Sequence, residues 1–356
     1  MLTQEQKTLI ERKRAAAIRL KETNKRDRIQ ANRLAALERK AKWARTHGLR
    51  IPTPPTGWVF TTVPLNEPES FGCDFQLPGH TPRMLEALHA HPRDSRIQFI
   101  AEGHIYKVDG HPTLGSVTKL VHEFAEEFDA DLVIGKMKGG PRWPRPEYTH
   151  PNGQELDDDE IKEQWRRNRD ESANRGTWTH LQCELFLNGD AVNLDKPELL
   201  LMLKTLLKLP GYTAYRTEWE IFGEAECIAG SIDFVAQAPD GSLLLLDWKR
   251  SKQLRNKYSH FFGMSMKSPL DKLQDCAGEH YRLQLNCYRY LLQKYYRVTV
   301  SGMWVVCIHP DNEDEPFIDD VPAMPVETEA LMSWQRELAL RKEGGTAGDS
   351  AKTSAA

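Results

Sequence analysis

The sequence has little cysteine, and none of it is clustered. Its six cysteines (Cys73, Cys183, Cys227, Cys276, Cys287, Cys307) form no Cys-x-x-Cys pair in 356 residues. A disulfide-stapled secreted domain or a Cys-based zinc site needs tighter spacing, as does an iron–sulfur cluster. Long apolar runs are missing too: nothing approaches the ~18 consecutive apolar residues of a membrane span. The N-terminus has no signal-peptide apolar core, and its acids are wrong for a transit peptide. These absences lead to the expectation of a soluble intracellular protein, nuclear or cytoplasmic, with no membrane partner. Signatures of nucleotide motors and of two hydrolase classes are also absent. Gly135-Lys136 lacks the glycine spacing and the following Ser/Thr of a phosphate loop. No Gly-x-Ser-x-Gly elbow and no His-Glu-x-x-His helix occurs.

The lack of net charge misleads. The formal total is −3, which by itself argues against a polyanionic partner. Residues 1–50, however, hold 15 Lys+Arg against 5 Asp+Glu, a net of +10, and the rest holds 33 against 46, a net of −13. The chain is 40% hydrophobic and 28% charged, so it can bury a core. Its length suits two domains, or one with appendages.

Residues 3–46 read as one long polar helix, free of Gly and Pro until Gly48 and Pro52. Thr3 and Gln6 have the spacing of a capping box. The apolar positions are too sparse for a core helix, which leaves a solvated helix, a basic nucleic-acid arm or a partner-docking helix open. Its opening, LTQEQKTLIERKRAAAIRL, resembles the short helices by which some fork-repair proteins dock onto the single-strand-binding replication protein. Residues 51–95, with IPTPPTGW, NEPES and QLPGHTPR, read as a Pro-rich linker.

From residue 96 the texture changes. RIQFIAEGHIYKVDG alternates like a hairpin, and SVTKLVHEFAEEFDADLVIGKM reads as a helix. A helix over 157–188 opens on Asp157, Asp158, Asp159 and Glu160, acids that complement a helix N-terminus rather than bind metal. KPELLLMLKTLLKL is a further helix. TAYRTEWEIF, ECIAGSIDFVAQA and SLLLLDWKR follow as strands, the last two joined by the turn Pro239-Asp240-Gly241. A basic loop over about 250–278 leads to the amphipathic helix GEHYRLQLNCYRYLLQKYY and the final buried strand RVTVSGMWVVCIHP. The expected organisation is a basic helical arm (1–50), a linker (51–95), one domain (96–335) and a disordered tail (336–356) ending in GGTAGDSAKTSAA.

The residues with chemistry gather in the second half. Asp247 and Lys249 end the run LLLLDWK, and a strand places residues two apart on one face. A neighbouring strand carrying Asp233 would add a second carboxylate. Oxygen donors of this kind suit Mg²⁺ or Mn²⁺, an ion that polarises a phosphoryl oxygen and makes a nucleophile of bound water. Acid-x-Lys alone is a cheap pattern: it ends at Lys7, Lys13, Lys40, Lys162 and Lys249, and four of these lie in polar helical stretches. His180 and Glu184 share a helix face, as do Gln284 and Tyr288. Each such pair by itself is an ordinary surface or core feature.

In this order, the set His180, Glu184, Glu218, GSID at Asp233, Asp-x-Lys at Asp247 and Lys249, and Gln284-x-x-x-Tyr288 resembles the RecB-like exonuclease branch of the PD-(D/E)XK nuclease superfamily. The resemblance covers about residues 97–308. It implies a restriction-endonuclease-like αβββαβ core, an α/β fold with a central mixed sheet, preceded here by the basic helix. It further implies that Asp233, Asp247, His180 and the Trp248 carbonyl hold one or two Mg²⁺ (or Mn²⁺) ions. Lys249 would activate water, Gln284 and Tyr288 would position the scissile phosphate or Lys249, and Glu184 would be a further acidic site residue. Glu218 fits another acidic position, with Glu220 as its competitor. The helicase motor and cysteine cluster of some members are absent.

The loop after Lys249 carries Arg250, Lys252, Arg255, Lys257, Lys267 and Lys272. Such cations can contact a phosphate backbone or simply be solvated. Trp143, Trp178, Trp248, Tyr212, Tyr215 and Tyr258 can stack on unpaired bases or fill the core. The resulting expectation is a metal-dependent deoxyribonuclease of exonuclease or flap type, acting on single-stranded DNA or free ends in repair, recombination or replication. A catalytically inactive nuclease fold serving as a DNA-binding or adaptor protein is the alternative.

Overall fold

The computed structural model describes residues 28–29, 31–43, 45–58, 70–72, 83–258, 263–312 and 315–353, with single positions at 23, 68 and 75. The expected Thr3/Gln6 cap, the docking-helix resemblance and Cys73 lie outside the described residues. Residues 31–43 are helical, and the end of this arm is not simply solvated. Ala41 and Leu49 are buried, Arg45 lies 4.3 Å over the Phe186 ring, and Arg50 bridges to Thr213.

The segment expected as a linker contains the short helix α1 (Met84–Leu88), whose Met84 and Leu85 are fully buried. Arg216 ties the region down by donating to the His89 carbonyl at 2.9 Å and to Asp94 at 2.8 Å. The domain therefore begins before residue 96, because apolar and charged anchors are spread through the Pro-rich text. A small antiparallel sheet follows, of β1 (Ile97–Ile100), β2 (Ile105–Val108) and β3 (His111–Pro112). Then come β4 (Gly115–Ser116), α2 (Val117–Glu123) and α3 (Ala130–Lys138). One helix was expected across α2 and α3. The chain breaks there because Lys267 N–H bonds the Phe124 carbonyl, Glu126 N–H bonds Asp275, and Asp129 caps α3.

Helix α4 (Asp158–Leu187) starts at a full capping box of Asp157 and Glu160, so the acidic run is a helix start, as its position implied. Its first half is largely exposed, and its last third buries Trp178, Cys183, Leu185, Phe186 and Leu187. After α5 (Pro197–Leu206), strands β5 (Thr213–Gly223), β6 (Ile228–Gln237) and β7 (Leu243–Lys249) form an antiparallel meander. Helix α6 (Ala277–Leu291) crosses over to β8 (Val300–Cys307), which pairs parallel with β7. β8 is not the last strand: β9 (Phe317–Asp320) pairs antiparallel on its outer edge. The result is an α/β fold with a central mixed sheet and helices on both faces.

β7 shows why the layers form. Leu243 and Leu245 join the core under α6, while Leu244, Leu246 and Trp248 join the core under α4 and α5. A strand buried on both faces reads as a continuous apolar run, and each buried leucine contributes roughly 1.5–3 kcal/mol. The chain closes with α7 (Pro325–Thr353). A disordered tail was expected from 336, yet Arg336 bonds the buried Glu226 at 2.9 Å and Ala339 is buried. Tertiary contacts thus anchor the helix at residues 336 and 339.

Candidate functional site

The site lies where the sheet opens. β5 pairs along one edge of β6, from Thr213↔Gln237 to Gly223↔Ile228. On the other edge, β4 pairs with Ile228 and Ala229, and β7 pairs with Phe234 through Gln237. Residues 230–233 of that edge thus have no strand partner among the described residues. Continuing the β6–β7 register one step beyond Phe234↔Leu246 sets Asp233 across from Asp247. The β5–β6 register, between Thr217↔Phe234 and Trp219↔Ile232, sets Glu218 across from Asp233.

Both strands are irregular here. Glu218 has φ +42°, left-handed for a non-glycine residue. In β6, Ile232 and Val235 share the α6 core while Phe234 lies in the α4 core, so the alternation shifts at Asp233. The departure from regular pleating brings three carboxylates from three strands to one opening.

Asp233 Oδ2 accepts from the Trp248 N–H at 2.8 Å and lies 3.5 Å from His180 Nδ1 on α4. Donor atoms of His180, Glu218 and Asp233 lie within 4.8 Å of one another. Lys249 Nζ pairs with Asp247 at 2.7 Å and sits 4.6 Å over the Tyr281 ring. On α6, Gln284 donates to the Tyr288 hydroxyl at 3.0 Å. Tyr288 reaches the opening because residue 230 is glycine: a Cβ there would lie 2.6 Å from the Tyr288 ring. Glu184, one turn beyond His180, is ion-paired with Arg83, whose Nη1 also approaches the Glu218 carbonyl at 3.4 Å.

Burial sets the electrostatics. It pushes Asp247 up to about 6 against the pull of Lys249. Burial and then Lys249 push His180 down to about 4, leaving a neutral imidazole with a lone pair at neutral pH. Burial, then the Asp233 and Glu184 charges, raises Glu218 strongly, and burial raises Asp233. Lys249 stays protonated because Asp247 and Asp233 outweigh its burial.

Lys249 pairs with Asp247 and Arg83 with Glu184, and their charges also reach Asp233 and Glu218, so four carboxylates share two cations. Two adjacent buried carboxylates and a neutral imidazole are a donor set that a divalent cation fits, since the ion would supply the two missing positive charges.

The expected residues are not all gathered. His180, Asp233, Asp247, Trp248, Lys249 and Tyr288 surround the opening, Gln284 is joined to it through Tyr288, and Glu218 rather than Glu220 joins them. Glu184 borders it but is tied to Arg83. Arg250, expected as a phosphate contact, is instead paired with Glu198 at 2.9 Å, with both side chains largely buried. Lys252 is exposed and 3.6 Å from Asp311, Arg255 packs over Phe317, and Lys257 donates to Ser251. Of the aromatics weighed for base stacking, Trp178 and Trp248 are core residues, and Tyr258 is wedged against Gly278.

Sequence reasoning missed Arg83 and Tyr281. Tyr281 could have been found as the residue one turn before Gln284 on the same helix, whereas nothing in QLPGHTPR marks the arginine. A separate open cleft of about 890 Å³ is walled by Phe128, Leu132, Trp165 and Arg142, but also by Glu126 and Glu127.

No protein-family model and no curated protein matches the chain. A solved structure described as "Crystal structure of SSO0001" aligns with 50% of this chain and 68% of its own, at 15% identity and a TM-score of 0.25. That likeness is too slight to identify a family. No helix among the described residues is long and apolar enough to cross a membrane.

Proposed function

We propose that this chain is a Mg²⁺- or Mn²⁺-dependent deoxyribonuclease of exonuclease or flap type, with the restriction-endonuclease-like core of the RecB-like PD-(D/E)XK branch. One observation carries the reading. Asp233, Asp247, Lys249 and His180 converge at a gap in the sheet, with the Gln284–Tyr288 pair of α6 beside them. The order α4, three antiparallel strands, α6 and a parallel β8 also supports it.

His180, Glu218 and Asp233 would hold the cation, with Asp247 beside them. The ion would polarise a phosphoryl oxygen and acidify bound water. Lys249, held charged, orients the attacking water and offsets charge that builds on the phosphate. Gln284, fixed by Tyr288, presents a polar group to the same opening. The substrate is DNA with single-stranded character or a free end, in repair, recombination or replication.

The test incubates purified full chain with end-labelled single- and double-stranded DNA and Mg²⁺, beside Asp247→Ala and Lys249→Ala. Metal-dependent cleavage lost in both variants is expected. Equal residual cutting by all three proteins would sink the proposal.

A further inference from the structure

We propose that Arg83 keeps Glu184 out of the coordination shell of the bound cation. The ion is then held by His180, Glu218 and Asp233 and keeps its other positions for water and phosphate oxygens. This inference rests on the nuclease reading above.

Arg83 is placed with little freedom. It immediately precedes α1, where Met84 and Leu85 are fully buried. Leu85 N–H donates to Asn188 Oδ1 at 2.9 Å. Asn188 Nδ2 donates to Thr217 Oγ1 and to the Glu184 carbonyl, each at 2.9 Å. One asparagine therefore joins α1, the end of α4 and β5, the elements that carry Arg83, Glu184 and Glu218. The Arg83 side chain is only 16% exposed, against 13% for Glu184. Glu86, at 3.9 Å and 42% exposed, is a weaker competitor for the same guanidinium.

Glu184 lies near the cluster without belonging to it. It is one turn from His180 on the same face of α4, and its charge reaches Glu218. Without Arg83 it would be a third carboxylate beside Glu218 and Asp233, with no Lys or Arg paired directly to any of the three. A hard six-coordinate cation with three protein ligands keeps positions for substrate, and each added carboxylate tightens the ion while closing one. Arg83 thus trades cation affinity for open coordination and acts as a positioning residue.

Mn²⁺ binding to the full chain, measured by calorimetry and by the paramagnetic resonance signal of free Mn²⁺, tests this beside cleavage rates. Arg83→Gln should bind Mn²⁺ at least about tenfold tighter, the direction set by removing one positive charge close to the ion, and should cut more slowly at saturating Mn²⁺. Arg83→Lys should behave as the unmodified chain. The double variant Arg83→Gln/Glu184→Gln should return to the original affinity, because the effect runs through Glu184. Where Arg83→Gln does not fold, Arg83→Met keeps the aliphatic stem packed and takes its place. Unchanged or weaker Mn²⁺ binding in folded Arg83→Gln or Arg83→Met overturns the proposal, as does equal tightening in the double variant. In either case metal-dependent cleavage by the unmodified chain leaves the nuclease reading standing. Absence of both Mn²⁺ binding and cleavage in the unmodified chain overturns the two together.

Discussion

The Trp248 backbone N–H donates to Asp233 Oδ2 at 2.8 Å, tying β7 to β6 just beyond the point where their strand pairing stops. A side chain replaces the missing ladder bond, so Asp233 serves both the sheet and the site. Asp233→Asn keeps an acceptor oxygen for Trp248 and removes one of the four carboxylates that share Lys249 and Arg83. It should leave folding stability within about 1 kcal/mol of the original while abolishing cleavage. Asp233→Ala loses the bond as well and should cost about 1–3 kcal/mol. Urea unfolding alongside cleavage assays separates the two substitutions; a large stability loss in the Asn variant would contradict this account.

Asp247 gives the metal-free protein a pH signature. Burial raises its carboxyl from 3.8 to about 6 in the fold. The folded state therefore disfavours the carboxylate, and stability present below the unfolded value is lost as pH rises toward 6. The shift corresponds to about 3 kcal/mol. Asp247→Asn removes this loss, so its stability relative to the unmodified chain should improve between pH 4 and pH 6.5. Unfolding in EDTA at several pH values measures the difference, and a flat difference would refute it. Added Mn²⁺ should stabilise the unmodified chain by mass action.

Gly230 sets how closely α6 approaches β6. An alanine Cβ would meet the Tyr288 ring at 2.6 Å, and Tyr288 is fixed in the core at 2% exposure. Gly230→Ala should cost about 1–3 kcal/mol and reduce cleavage by displacing Gln284 and Tyr288. Thermal melts and rates on one substrate check both effects; an unchanged melt and rate would mean that α6 can retreat without penalty.

Glu226 anchors the C-terminal helix. Its side chain is fully buried and receives Tyr295 at 2.5 Å, Lys294 at 2.9 Å and Arg336 at 2.9 Å. Burial alone would raise its carboxyl, but these partners outweigh burial and hold it below the usual range. Its contribution is thus present above the unfolded value of 4.5 and lost as pH falls through the lowered folded value. Glu226→Gln should cost about 2 kcal/mol at pH 7 and less at pH 3. Truncation after residue 335 should cost a similar amount. A truncated chain with full stability would restore the view of 336–356 as a loose tail.

Much of this was legible in sequence because it follows from local periodicity. Asp247 and Lys249 share a strand face, and the capping acids of α4 sit where a helix must start. The pairs His180/Glu184 and Gln284/Tyr288 recur at helical spacing. The choice between Glu218 and Glu220 was not legible, since both lie on one face of a regular strand and only the left-handed backbone at Glu218 separates them. Arg250 read as a free cation because its partner Glu198 is distant in sequence.

By itself, then, the sequence determined α4, the three strands β5 to β7, α6 and β8 in that order, and the spacing of the candidate site residues, because each depends on neighbours within a turn or a strand. Tertiary structure alone decided where the sheet parts, that Glu184 is held by an arginine from a Pro-rich segment, and that the last helix is anchored by Glu226. These outcomes come from contacts between residues up to about a hundred positions apart. Chain composition does not encode such contacts locally; they form because buried charges must find partners once the core has closed.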